Sequence, residues 1–232
     1  MKRFLVPVIL FFYQLPTTNC QTAPYWQQQV NYKIDVTLND VDNTLDGYEK
    51  MEYYNNSPDT LFFIWIHVWP NAFKNDKTAY TDQTLQNGST SFYFSNADKR
   101  GYINRLNFKV DGERANTADH SQHQDIIKLI TQWYPKPAVY DRKGWHPMPY
   151  LDQGEFYAEV GNYDVQITVP ENYVLAATGN LQNEKEIEWL QNRKPFYREP
   201  QKKKQALPKR KVEEDNLLSS KKTKTLQFIQ TN

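Results

Sequence analysis

Four histidines and a short run of carboxylates are the side chains in this sequence best suited to polar chemistry. The histidines are His67, His120, His123 and His146. None of them opens an H-E-x-x-H pair, so the chain lacks the helical zinc site of the common metallopeptidases. His120 and His123 stand three residues apart beside Asp119 and Asp125. On a helix that spacing brings two imidazoles together and would suit a surface zinc ion. The residues that follow, 124–130, read instead as a strand, which makes the pair the exposed end of a hairpin. His67 lies inside an almost wholly apolar run and is expected to be a packed core histidine with a hydrogen-bond partner. Asp152, Glu155 and Glu159 are close in sequence, as a glycosidase pair would need to be in space. At spacings of three and four, partly in a strand, their carboxyl groups have no reason to converge. No nucleophile elbow, phosphate-cradling glycine loop or dinucleotide fingerprint is present. The one cysteine, Cys20, rules out an intrachain disulfide.

The scaffold that positions these residues reads as β structure. Aromatic residues make up 15% of the 232, against eight glycines, and flat or β-branched side chains favour a pleated surface. Residues 30–38 alternate Val30, Tyr32, Ile34, Val36 and Leu38 with polar neighbours, the period of a strand with one wet face. Residues 48–54, bounded by the turn cluster NNSPD, form its natural antiparallel partner. The run LFFIWIHVW at 61–69 predicts a strand covered on both faces, because Pro58 and Pro70 argue against a helix. Asn87-Gly88 marks a turn; 91–95 and 102–110 alternate as strands, and Asp111-Gly112 predicts a hairpin reversal. Residues 183–190 suit either a strand or a short helix, and 223–229 return to a strand pattern.

Charge divides the chain. Residues 21–184 hold 13 basic and 21 acidic side chains, whereas 185–224 hold 13 basic and six acidic ones. The basic clusters at 202–204 and 209–211 raise nucleic-acid binding as a function. Few apolar residues accompany them, so the expectation is a solvated, poorly ordered segment without a nucleic-acid partner. At the other end, Lys2 and Arg3 precede the apolar run FLVPVILFFY, the pattern of an export signal ending near Cys20. The run is too short for a stable membrane anchor. Cys20 also permits a lipoprotein reading, in which its thiol carries lipid and the protein meets a membrane only through it. Thr18 and Asn19 are not the small residues usual before such a cysteine, which favours a cleaved signal. The expected organisation is a signal peptide at 1–20, a β domain at 21–184, a basic Pro/Lys-rich linker at 185–222, and at 223–232 the first strand of a domain left incomplete. The expected location is exported: periplasmic, cell-surface or secreted.

The richest stretch is 131–181. Its phrases TQWYPKPAVYD, GWHPMPYLD and YDVQITVPENYVLAATGNL, with YKIDVTLN and YYNNSPDTLFFIWIHVWPNAF upstream, resemble the N-terminal domain of the aminopeptidase N family of zinc metallopeptidases. The resemblance covers roughly residues 24–182 and resumes at SSKKTKTLQFI. It implies an all-β fold, a saddle-shaped, mostly antiparallel multi-sheet β-sandwich, packed on a separate thermolysin-like catalytic domain. In that family the catalytic domain supplies the zinc, its glutamate base and a Gly-x-Met-Glu-Asn substrate motif. None of these occurs in this chain, so the resemblance implies no cofactor here. It also implies that peptide substrate is met only together with the catalytic domain. The N-terminal domain lends one edge of the cleft, through a glutamine in a Thr-Gln or Ser-Gln pair. Thr131-Gln132 matches the pair, so the resemblance makes Gln132 a substrate contact. Tyr134 stands where the family usually carries an acid or amide two residues on.

Two functions of different class follow. One is a non-catalytic N-terminal domain of an exported zinc aminopeptidase-like protein, whose interdomain surface includes Trp133, Trp145 and Tyr150. These three and Tyr134 should then form an apolar patch larger than a finished monomer exposes. The other is a free-standing β-sandwich that binds carbohydrate or protein by stacking on the same aromatics.

Overall fold

The computed structural model describes residues 25–115, 132–192 and 219–232. Its strands and helices in chain order are β1 (Gln29–Asn39), β2 (Thr44–Tyr54), β3 (Ile66–His67), α1 (Ala79–Gln86), β4 (Lys109–Val110), β5 (Glu113–Arg114), β6 (Lys136–Pro137), β7 (Val139–Asp141), β8 (Gly144–His146), β9 (Gly161–Pro170), β10 (Asn180–Leu181), α2 (Glu184–Asn192) and β11 (Thr223–Gln230). The fold is all-β, built of several mostly antiparallel sheets, with two short α-helices among the described residues. Cys20 and the expected export signal, His120, His123, the strand expected at 124–130, and most of the basic segment lie outside the described residues.

The main sheet has five strands in the order β10-β11-β9-β1-β2. The two-residue period of β1 sets its faces. Val30, Tyr32, Ile34 and Val36 are all 5% exposed or less and point to the core. Their ladder partners continue that face: Tyr53, Met51 and Glu49 on β2, then Gly161, Tyr163, Val165 and Ile167 on β9. Leu226 and Phe228 on β11 extend it across the register with β9. The opposite face is polar and bonded from strand to strand, through Asn162 to Asn31, Gln227 to Asp164, and the hydroxyls of Thr168 and Thr225. β1 and β9 run parallel, while every other ladder in the sheet is antiparallel. The strand near the chain end, β11, sits inside this sheet between β9 and β10.

Asp111 and Gly112 both adopt positive φ, 50° and 87°, and close the β4–β5 hairpin as the sequence predicted. Residues 183–190 resolve as α2. The first turn of α1 is held by Thr78, whose hydroxyl accepts from the Thr81 amide at 3.3 Å and donates to the Ala72 carbonyl at 2.7 Å. Replacing Thr78 by alanine removes both bonds, and urea unfolding should show a loss of about 1 kcal/mol.

Three expected strands are not formed as predicted. In 61–69 only Ile66 and His67 are in a ladder, and the run is far from covered: Phe62 is 90% exposed, with Phe63, Ile64 and Trp65 each above 40%. One side of the run is engaged, the Trp65 carbonyl accepting from the Ala138 amide at 2.8 Å, but no second layer among the described residues covers the other. Residues 91–95 form a helical turn because local partners satisfy them. The amides of Phe94 and Ser95 bond back to Thr90 and Phe92, and Arg100 holds Ser95 Oγ and the Tyr93 carbonyl. Across 102–110 only Lys109 and Val110 are in a strand. The Ile103 amide is taken by Asn71 Oδ1 at 2.8 Å, and Arg105 turns left-handed at φ 53°, which ends any extended run.

A buried acid–base cluster as candidate functional site

Residues 132–137 place the candidate residues against the core face of the main sheet. Trp133 and Tyr134 pack on the Val30–Tyr32–Ile34 core, together with Met51, Tyr53, Tyr163 and Val165. The Tyr32 and Tyr163 rings stack at 4.7 Å, with Tyr134 edge-on to both. Tyr134 donates from its hydroxyl to that of Tyr163 at 3.1 Å. Burial holds both phenols above their ordinary range, so Tyr134 is a neutral packing residue in this arrangement. Gln132 takes a left-handed backbone at φ 54°, and its side-chain oxygen accepts from the Lys136 ammonium. That bond orients the amide: the oxygen is occupied and the NH₂ group is the end left to donate.

Two residues that the sequence did not single out complete the cluster. Lys136, on β6, is only 8% exposed; its Nζ lies 4.2 Å from the Tyr134 ring centre and 5.2 Å from that of Trp69. Glu49 stands on the core face of β2 opposite Ile34, and neither carboxylate oxygen has a hydrogen-bond partner among the described residues. Burial raises the Glu49 carboxyl to about 8, opposed by the positive Lys136. Burial lowers Lys136 to about 8, opposed by the negative Glu49. An acid and a base that feel each other's charge are thereby both displaced toward neutrality, the electrostatic pattern found at sites that move protons and also in buried structural pairs. Glu49 was legible in principle. Once β1 and β2 pair, the period of two puts residues 49, 51 and 53 on the core face, and an acid there is anomalous.

His67 joins the cluster from β3 and behaves as expected of a packed histidine. It is 6% exposed, stacks on Trp69 at 4.5 Å and hydrogen-bonds the Met148 backbone, while its Nε2 has no partner among the described residues. Burial and the Lys136 charge lower it to about 4, so its ring is neutral at physiological pH. The Trp69 indole donates to the Met148 carbonyl at 3.0 Å. A hollow of about 300 Å³ beside them is lined by His67, Trp69, Asn71, Thr78, Met148 and Tyr150.

The remaining candidates are not brought together. His146 bonds Asp141 at 2.7 Å within the β7–β8 hairpin, and that bond holds the Asp141 carboxyl below its usual range. Glu159 is buried whereas Asp152 and Glu155 are exposed, so the three acids share no site. Among the described residues no group of His, Cys, Asp and Glu is placed to hold a metal ion. The expected patch of Trp133, Tyr134, Trp145 and Tyr150 is also not formed. Each is half-buried and they belong to three separate ring clusters: Trp133 and Tyr134 with Tyr32 and Tyr163, Trp145 with Tyr53, Phe63 and Tyr140, and Tyr150 with Phe73, Tyr80 and Phe156. Nearby rings supply partners that period and composition could not reveal. Among the described residues the longest run of consecutive exposed large apolar side chains is instead Phe62, Phe63, Ile64 and Trp65. No described helix is long and apolar enough to cross a membrane.

No protein-family model matches this chain, and no curated protein or solved structure does either.

Proposed function

We propose that this chain is the non-catalytic N-terminal β domain of an exported zinc aminopeptidase-like metallopeptidase, which packs on a catalytic domain and lines one edge of its peptide cleft. The observation that carries the reading is the exposed apolar run Phe62-Phe63-Ile64-Trp65, tied to the domain at its end by the Trp65 carbonyl, which accepts from the Ala138 amide. A lone soluble domain seldom leaves four consecutive large apolar residues in water, and such a run suits a face that another domain covers. The motif phrases from 131–181 supply the family, and the all-β fold is compatible with it. Gln132, whose amide oxygen is taken by Lys136, would meet a peptide carbonyl at the cleft edge through its NH₂ group. The zinc and the glutamate base would belong to the catalytic domain. The described residues offer no ligand set for the metal, so no chemical step is assigned to this chain. The carbohydrate-binding reading draws less support, because Trp133, Trp145 and Tyr150 pack their rings against neighbours and offer no common platform.

The gene and the protein test the reading together. The DNA beyond the codon for Asn232 should encode, in frame or after a shift, an H-E-x-x-H helix. The purified chain, given zinc, should retain no stoichiometric metal by mass spectrometry and release no amino acid from chromogenic aminoacyl substrates. Hydrolysis that scales with this protein and survives replacement of Gln132 would overturn it.

A further inference from the structure

The two edges of the main sheet are unlike. β10 ends one side with two residues, whereas β2 ends the other with eleven, in unbroken register with β1 from Gln29↔Tyr54 to Asn39↔Thr44. No bulge or proline interrupts β2, and among the described residues no backbone hydrogen bond reaches its outer edge. A long uninterrupted edge of this kind is a template for another strand. We propose that β2 pairs antiparallel with β2 of a second copy of this chain, about a two-fold axis at Met51.

The register follows from geometry and charge. Alternate residues of a strand face opposite sides and alternately direct their backbone groups outward, so a symmetric pair must be centred on a residue. Centring on Glu49 sets Asp46 against Glu52, and centring on Lys50 sets two ammonium groups face to face. Centring on Tyr48 also sets opposite charges together, Lys50 against Asp46, but it leaves Glu52 opposite Thr44 and gives one tyrosine pair in place of two. Centring on Met51 places Lys50 opposite Glu52 of the second copy, twice by symmetry, and Tyr48 opposite Tyr54, also twice. All four side chains are on the polar face and open to partners: Tyr48 and Tyr54 are 67% and 46% exposed, and the side chains of Lys50 and Glu52 are 58% and 45% exposed. Lys50 and Glu52 pair with each other along the strand at 2.7 Å in the single chain. An exposed pair of that kind contributes little, so exchanging it for cross-strand partners costs little. The inference is independent of the peptidase reading, which concerns the surface at Phe62–Trp65.

Sedimentation velocity on the full chain at roughly 100 μM should show a dimer, a concentration at which small interfaces of this class assemble. Either single reversal, Lys50→Glu or Glu52→Lys, should weaken it about tenfold, because each puts two like-charged pairs across the strands. The double reversal Lys50→Glu/Glu52→Lys should restore assembly to within about threefold of the parent, since the cross-strand pairs are again opposite in sign. A chain that stays monomeric, or a dimer indifferent to the single reversals and lost on Phe63→Ser, overturns the proposal.

Discussion

Replacing Gly161 by alanine should lower stability by about 3 kcal/mol and the thermal midpoint by roughly 6–12 °C, followed by urea and thermal unfolding. The reason is local. Gly161 opens β9 opposite Val30, in the parallel ladder that joins the two halves of the sheet. A Cβ there would overlap the Val30 carbonyl oxygen and stand 3.1 Å from the Tyr32 ring. The first obstacle is backbone, which cannot rotate away as a side chain can. Val30 is 0% exposed and Tyr32 3%, so the strand has nowhere to retreat without opening the core. Gly47 supplies the control. It lies in β2, its φ is ordinary, and an added Cβ would meet its nearest neighbour, the Asp35 carbonyl, at 3.6 Å. Gly47→Ala should therefore be neutral or slightly stabilising, through the lost freedom of the unfolded chain. If Gly161→Ala proved as mild as Gly47→Ala, the β1–β9 pairing described above would be wrong.

The contrast between those glycines also shows what the sequence could and could not reveal. The alternation of Val30, Tyr32, Ile34 and Val36 was enough to define β1 and its wet face, because a half-buried strand writes its faces into a period of two. The antiparallel partner β2 followed from the turn cluster beside it. The parallel pairing to β9, more than 120 residues away in sequence, leaves no local trace, so the steric role of Gly161 was invisible. The run at 61–69 misled for a different reason. Apolar content reports what a segment would prefer to bury, not whether a covering layer exists among its neighbours. The same limit applies to the aromatic candidates. Trp133, Trp145 and Tyr150 are close in sequence, yet Trp145 and Tyr150 find ring partners on other elements, while Trp133 packs beside Tyr134 on the β1 core. Gln132 was legible only through its motif, and its orientation depends on Lys136, four residues on, whose burial depends in turn on tertiary packing.

The buried cluster should give the protein an unusual pH–stability curve. Glu49 keeps its proton to about pH 8 when folded but releases it near 4.5 when unfolded, so the folded state binds more protons between those values. Stability must fall as pH rises through that window. Lys136 acts in the opposite sense. The unfolded chain holds its proton to 10.5 and the folded protein only to about 8, so stability rises from pH 8 to 10.5. His67 is lowered from 6.5 to about 4, which makes stability rise across that lower window and offsets Glu49 between pH 4.5 and 6.5. The carboxyls of Asp40 and Asp141 are held below their usual range by hydrogen bonds, and their contribution is lost only in more acidic solution. The sum is a plateau from about pH 4.5 to 6.5 and a minimum near pH 8. No single group can exceed about 1.4 kcal/mol per pH unit, and Glu49, part-buried on β2, should deliver less than that because solvent screens it. Chemical denaturation from pH 5 to 10 would trace the curve. Glu49→Gln keeps the shape and removes the charge, so it should abolish the fall between pH 6.5 and 8 and raise stability at pH 8 by about 1–3 kcal/mol. Lys136→Met should abolish the rise above pH 8 while costing the bond to Gln132. A parent curve that is flat from pH 6.5 to 8 would mean that Glu49 is ionised and paired when folded, and the cluster would then be an ordinary buried ion pair with no displaced acid.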